Sequence, residues 1–274
     1  MYISIDMGAT NTRVASTEDL ENILEIKKFK TAPDLSEQSN LLLEAINKVA
    51  PKGNIQKIVI GVPGKIDLET RKFVNLPNFP YLNSKNFTDL IDVDNTIFTN
   101  DALLGGLAEA EIGSGAEYGI IAFITLGTGV GGVRIQKENG SLSYFMAEPG
   151  HQIITRSDRF SDITGLSGTL ELHVSGKSFK EIYGKNPEDC EDEEIWRDYS
   201  YFLTMGLINI LALWNPEVII FGGSVSNKFN TFMPFVVEEF SKQRFFDPVN
   251  VKQAKLGDDS GVYGGFIFLK NLIK

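Results

Sequence analysis

Cysteine is nearly absent from this sequence. Cys190 is the only one in 274 residues, so no internal disulfide can form and no cysteine-based metal cluster can be built. Positive charge is also in deficit: 26 Lys and Arg face 36 Asp and Glu, for a formal net charge of −10. That balance argues against a nucleic-acid surface and for solubility. Long apolar runs are missing too. The longest, residues 207–213, is interrupted by Asn209 and falls well short of the roughly 20 residues that a membrane-spanning helix needs. The opening Met-Tyr-Ile-Ser-Ile-Asp has no basic stretch and too short an apolar run for a secretory signal. The expectation is a cytoplasmic protein with no membrane attachment.

What is present is ordinary for a soluble globular chain: 42% apolar, 23% charged and 11% aromatic residues. The length allows one large domain or two modest ones. The most informative stretch lies near the start, Asp6-Met7-Gly8-Ala9-Thr10-Asn11-Thr12-Arg13. Alternating residues before it and a short run after it predict a strand, a tight turn at Gly8 and a second strand. Gly8 leaves room for a bulky anion near the main chain. Thr10, Asn11 and Thr12, with backbone amides, suit phosphate oxygens, and Asp6 suits a hydrated Mg²⁺. Taken alone, the same residues describe a common polar hairpin turn.

A second glycine-rich turn, Gly127-Thr128-Gly129, follows the strand-like residues 120–124. Neither turn ends in Gly-Lys-Ser/Thr, so neither is a Walker A loop, and neither opens an evident helix as a dinucleotide-binding turn should. Between them, residues 36–49 carry helical apolar spacing that Pro51 and Gly53 end. Residues 57–60 read as a buried strand leading to Gly61-Val62-Pro63-Gly64, and residues 96–99 as a strand ending at Asn100-Asp101. Residues 102–112 then read as an alanine-rich helix. Asp101 is suited to capping that helix and equally to accepting the proton of an alcohol during phosphoryl transfer. Gly113-Ser114-Gly115-Ala116 is a flexible, polar hinge signal, and Glu138-Asn139-Gly140 a hairpin signal. Residues 188–194 are densely acidic, as at a solvated helix start. Residues 196–213 predict a long buried helix, 217–221 a buried strand, and 232–240 a further helix.

Two phosphate-type turns flanking a lone Asn100-Asp101, followed by Glu148-Pro149-Gly150-His151, resemble the sugar kinases of the ROK (repressor, open reading frame, kinase) family. Gly222-Gly223 after the last buried strand resembles that family's adenosine-side glycine pair, and residues 256–265 its closing helix. The resemblance implies an actin-like ATPase (ribonuclease H-like) α/β fold of two lobes with an interlobe active-site cleft. Residues 1–113 would form the N-terminal lobe and 114–257 the C-terminal lobe, with 258–274 packing back on the first. It further implies ATP-dependent phosphorylation of a hexose 6-hydroxyl, with glucose the first choice. Fructose, mannose or N-acetylmannosamine are alternatives, as is a non-catalytic sugar sensor. In this assignment Asp101 is the catalytic base, and Gly64, Asn78, Asn100, Asp101, Glu148, His151 and Glu171 face the sugar. Asn78 serves equally well as a turn or capping residue. Asp6, Gly8, Thr10, Asn11, Thr12, Gly127, Thr128, Gly129, Gly222 and Gly223 face ATP, with Asp6 holding Mg²⁺ through water.

The family's zinc loop is altered here. Asp162, Thr164 and Thr169 stand where it carries cysteines, while the glycines and Glu171 keep their spacing. Threonine hydroxyls are poor zinc ligands, so ATP and Mg²⁺ are expected and zinc is not. The family's repressors carry a helix-turn-helix ahead of the core. Here the core begins at residue 2, so no nucleic-acid partner is expected; a homodimer is left open.

Overall fold

Small-residue packing and repeated strand pairing shape the molecule. The computed structural model describes residues 1–51, 53–156, 161, 165–243 and 250–273. The chain divides into two units, one made of Met1–Glu111 with Leu256–Lys274, the other of Ile112–Lys255.

The first unit opens with three strands that follow directly in space as in sequence: β1 (Tyr2–Met7), β2 (Asn11–Thr17) and β3 (Glu25–Lys30). Helix α1 (Leu35–Val49) follows, capped by Asp34, whose side chain accepts from the Glu37 amide. It crosses over to β4 (Lys57–Val62), which lies parallel to β1. A small hairpin, β5 (Lys65–Asp67) and β6 (Lys72–Asn75), leads to the short helix α2 (Phe87–Leu90) and then to β7 (Thr96–Asn100), parallel to β4. Helix α3 (Asp101–Glu111) starts where β7 stops. The sheet order is β3-β2-β1-β4-β7. Its core joins Ile3, Ile5, Ile58 and Ile60 to Leu42 and Ile46 of α1. Three phenylalanines from the hairpin, α2 and β7 pack ring on ring: Phe73 to Phe87 at 4.9 Å and Phe87 to Phe98 at 4.4 Å. They fix the segment that carries Asn78.

The second unit repeats the plan. Strands β8 (Ile120–Leu126), β9 (Val130–Glu138) and β10 (Ser141–Ala147) form an antiparallel meander. Asn139 and Gly140, both at positive φ, make its second turn, as the sequence signal predicts. Helices α4 (Glu171–Val174), α5 (Gly176–Tyr183) and α6 (Glu193–Trp214) precede β11 (Val218–Gly222), parallel to β8. Helix α7 (Phe229–Phe240) leads to β12 (Asn250–Gln253), parallel to β11. The order β10-β9-β8-β11-β12 matches the first sheet strand for strand in sequence sense and direction. This duplicated meander with two parallel additions is the actin-like fold. The acidic run ahead of α6 is its capping turn, with Asp192 accepting from the amides of Glu194 and Ile195. Strands β5, β6 and β12 and helices α4 and α5 have no counterpart among the sequence expectations. All are short, and short elements carry too few residues for a periodicity to register. Among the described residues no helix is long and apolar enough to cross a membrane.

The C-terminal helix (Ser260–Leu272) belongs to the first unit. It presents Gly261, Gly264 and Gly265 to β1 and α3 so closely that side chains would not fit. A Cβ on Gly264 would fall on the Leu104 carbonyl of α3, and one on Gly265 on the Ser4 hydroxyl. Gly264→Ala should therefore cost about 3 kcal/mol, the upper end for overpacking a close contact. Urea unfolding would measure this, and a loss under about 1 kcal/mol would show that the two helices can move apart freely.

Candidate active site

In the first unit, β1 delivers Asp6 to the start of the Gly8 turn. The turn closes with the Gly8 amide donating to the Asn11 carbonyl at 3.1 Å. Ala9 and Thr10 are exposed at its tip and Asn11 is half-buried. Thr12 differs from the expectation. Its side chain is fully buried and its hydroxyl meets Thr31 Oγ1 at 3.0 Å and Gln38 Nε2 at 3.2 Å. Thr12 holds the turn from inside, its hydroxyl engaged by Thr31 and Gln38.

Asp6 sits among charges. Arg13, 9% exposed, approaches it at 3.8 Å and also pairs with Asp258 and, at 3.6 Å, with Asp259. Gly261 of the C-terminal helix lies directly against the Asp6 carboxyl. Burial, then the negative charge of Asp101, pushes the Asp6 carboxyl up to about 7; Arg13 opposes the rise, and Asp258 and Asp259 add to it.

Asp101 begins α3 immediately after β7, so a strand end fixes its backbone while the positive end of a helix favours its charge. The Ala102 amide donates to Asp101 Oδ1 at 2.8 Å and to Asn100 Oδ1 at 2.9 Å. The Asp101 carboxylate and the Asn100 side-chain amide thus share the capping work. Asn100 Nδ2 reaches the Gly64 carbonyl at 3.4 Å. Gly64 has φ +112, and a Cβ there would stand 2.5 Å from the Asn75 carbonyl, a place only glycine fits. That contact seats the Gly61-Val62-Pro63-Gly64 loop against residues 75–77. Asn78 is exposed in the next turn, which the Phe79 amide closes onto the Leu76 carbonyl at 3.0 Å. The first unit therefore collects Asp6, Gly64, Asn100 and Asp101 around the ends of three neighbouring strands.

The second unit does the same with its own strand ends. The turn between β8 and β9 holds Gly127, Thr128 and Gly129. A Cβ on Gly127 would have no atom within 4 Å, whereas one on Gly129 would stand 2.6 Å from Glu171 Oε2. That oxygen accepts from the Val130 amide at 2.7 Å. Glu171, singled out for the sugar, is thus also tied to the second phosphate-type turn. The Gly127 carbonyl accepts from the Gly176 amide at 2.7 Å, at the start of α5. Gly150 of the Glu148-to-His151 stretch lies directly on the Val130 carbonyl, which brings exposed Glu148 and half-buried His151 to the same end of β9. Gly223, at φ +83, would place a Cβ 2.5 Å from the Leu126 carbonyl. The Gly222-Gly223 turn consequently abuts the Gly127 turn.

Asp162 and Thr164 lie outside the described residues. Thr169 is fully buried, and its hydroxyl finds no hydrogen-bond partner among the described residues. Among the described residues no group of three or more His, Cys, Asp or Glu side chains stands ready to hold a metal ion. Asp6 with Asp101 is different in kind: an acidic pair that suits Mg²⁺, which binds few protein oxygens and keeps several waters. Sequence reasoning missed Arg13, Thr31, Gln38, Asp258 and Asp259. Arg13 stood at the end of the quoted motif, but its partners Asp258 and Asp259 lie some 245 positions away and no local pattern announces them.

The elevated Asp6 value has a consequence for the protein free of nucleotide and divalent cation. An acid whose folded pKa exceeds its unfolded value of 3.8 favours folding while it is protonated. That contribution is full below the unfolded value and is lost as pH rises through about 7. Asp6→Asn, which cannot ionise, should gain in melting temperature over the parent, and gain more at pH 8 than at pH 5. Equal differences at the two pH values would mean that Asp6 is not held protonated.

The geometry agrees with what comparison shows. The chain is 23% identical to the glucokinase of Halalkalibacterium halodurans, over 96% of this chain and 93% of that one. It is 28% identical to the fructokinase of Lactococcus lactis subsp. cremoris, over 84% and 80% respectively. The crystal structure of the ROK hexokinase from Thermus thermophilus superposes with a TM-score of 0.81, covering 100% of this chain and 99% of that one at 18% identity. The family model matches residues 2–271, and the chain belongs to the ROK family.

Proposed function

We propose that this protein transfers the γ-phosphoryl group of ATP to the 6-hydroxyl of a hexose, with glucose the leading candidate. The observation that carries this reading is the placement of Asp101 at the β7–α3 junction with its charge acting on Asp6. Two carboxylates, one from the end of β1 and one from the end of β7, can divide the labour of phosphoryl transfer: one takes a proton, the other serves the cation.

Asp101 orients the sugar hydroxyl and accepts its proton as the oxygen attacks phosphorus. Its position at a helix start, with one oxygen on the Ala102 amide, holds the other oxygen in a fixed direction. Asn100 fixes the same corner to the Gly64 loop. Mg²⁺, held through Asp6 and water, would neutralise charge on the transferring phosphates. The first unit contributes the exposed turn of Ala9 and Thr10 to the nucleotide. The second contributes Gly127 and Thr128 to the phosphates, Gly222 and Gly223 to the adenosine side, and Glu148, His151 and Glu171 to the sugar. Neutral hydroxyls are well met by carboxylates, which accept hydrogen bonds and gain from their charge. Zinc has no part in this reading.

A coupled ADP-release assay over a panel of hexoses and amino sugars tests the activity; no turnover with any of them would refute it. Asp101→Asn keeps the shape and removes the proton acceptor, so kcat should fall at least ~10²-fold with sugar binding retained. Near-normal turnover would remove Asp101 from this role. Glu148→Gln should raise the sugar KM alone. Glu171→Gln should raise the KM of both sugar and ATP, because its carboxylate also receives the Val130 amide beside the phosphate-type turn. Each effect should be about 10-fold, as expected for losing a hydrogen bond to a charged group. An ATP KM unmoved by Glu171→Gln would show that this bond does not shape the turn.

A further inference from the structure

The Gly8 turn rests on groups that lie outside the motif. Gln38, on α1, is fully buried. Its Oε1 accepts from the Ala32 amide at 2.8 Å, which leaves Nε2 to donate to Thr12 Oγ1 at 3.2 Å. Thr12 Oγ1 meets Thr31 Oγ1 at 3.0 Å, and the Thr31 hydroxyl donates to the Gly8 carbonyl at 2.7 Å. Each hydroxyl has one proton to give. Since Thr31 gives its proton to Gly8, it must accept from Thr12, which in turn accepts from Gln38. The bonds therefore run in one direction from helix α1 to the turn, and aligned hydrogen bonds of this kind reinforce one another.

The backbone is pulled the same way. The Thr31 amide donates to the Thr10 carbonyl at 3.0 Å, so the carbonyls of Gly8 and Thr10 both point towards Thr31. In a trans peptide the N–H points opposite to the C=O, and no peptide bond among the described residues is cis. The amides of Ala9 and Asn11 consequently point away from Thr31, at a tip where Ala9 and Thr10 are exposed.

We propose that Thr31 and Gln38 are positioning residues for the nucleotide: they turn the carbonyls of Gly8 and Thr10 inward so that the Ala9 and Asn11 amides face the phosphates. The inference rests on the reading of the Gly8 turn as a nucleotide site. Neither residue touches substrate; both act through the turn. Thr31→Val keeps the side-chain shape and breaks the relay. It should raise the KM for ATP about ten-fold and leave the sugar KM within about two-fold. Thr31→Ser restores the hydroxyl and should bring the ATP KM back towards the parent value. Gln38→Met removes the first donor and should act as Thr31→Val does; it carries the test if Thr31→Val fails to fold. Hydrogen exchange at the Ala9 and Asn11 amides should quicken in Thr31→Val and not in Thr31→Ser.

Titration calorimetry with ATP alone separates the two levels of failure. Parent protein that binds no ATP would defeat the nucleotide reading and this inference together. Parent protein that binds ATP, with Thr31→Val binding it equally well, would overturn the inference alone. Equal rises in the ATP and sugar KM of Thr31→Val would likewise overturn it, since general loosening would then suffice.

Discussion

The contact of Gly264 with the Leu104 carbonyl is the constraint on which the first unit depends. It lets the C-terminal helix lie backbone to backbone on α3, with Gly265 on Ser4 of β1. One turn earlier the same helix places Gly261 against the Asp6 carboxyl, and its leading residues Asp258 and Asp259 meet Arg13. Burial of the Glu109 carboxylate, which accepts from the Leu256 amide at 2.7 Å, fixes the chain as it enters this segment. The N-terminal motif and the last turns of the chain are thus one structural object. Acidic groups before a helix start are favourable in themselves. Here they also balance an arginine that is nearly buried, which would otherwise be costly to desolvate.

Duplication explains why the candidate residues cluster as they do. In each unit the first hairpin turn, between β1 and β2 or between β8 and β9, stands beside the end of a parallel strand that carries glycine: Gly61 in β4, Gly222 in β11. Parallel strands leave unpaired amides and room at their carboxyl ends, where ligands of open α/β sheets bind. The two copies differ at the third position. The strand end after β7 carries Asn100 and Asp101, whereas the chain after β12 continues with Ala254 and Lys255. In the proposed reading, acid–base chemistry accordingly falls to the first unit, and carboxylate recognition of the sugar to the second through Glu148 and Glu171.

Most of the frame was readable because it obeys local rules. The polar turns after β1 and β8, the helical spacing of α1 and the Asn139-Gly140 hairpin each follow from a few adjacent residues, and the structure has them all. The roles within the motifs were less readable. Strand β2 is covered on both faces, with Thr12 through Thr17 all buried, so the alternation that would tell an inward from an outward threonine is lost. Thr12 could not be distinguished from Thr10 on the page of sequence; the packing of Gln38 decides it. Glu171 and Gly129 likewise look like independent motif residues, yet one is small because the other occupies the space. Arg13 is legible only as a basic residue, since Asp258 and Asp259 reach it through the tertiary fold.

Asp6 shows what this arrangement costs and why the cost persists. Three further carboxylates act on it, and a single arginine opposes them, so the folded state without a cation holds either a proton or unrelieved repulsion there. A protein selected for stability alone would replace one of these acids with a neutral residue. The proposed reading asks for the opposite: a site that takes up a divalent cation beside phosphates needs oxygens already gathered, with their repulsion relieved only when the cation arrives. The stiff surroundings of Asp6, set by Gly261 on one side and the Gly8 turn on the other, keep the carboxylates from moving apart to relieve themselves. Local sequence rules fail at this corner because the acids gathered around Arg13 come from stretches far apart in the chain.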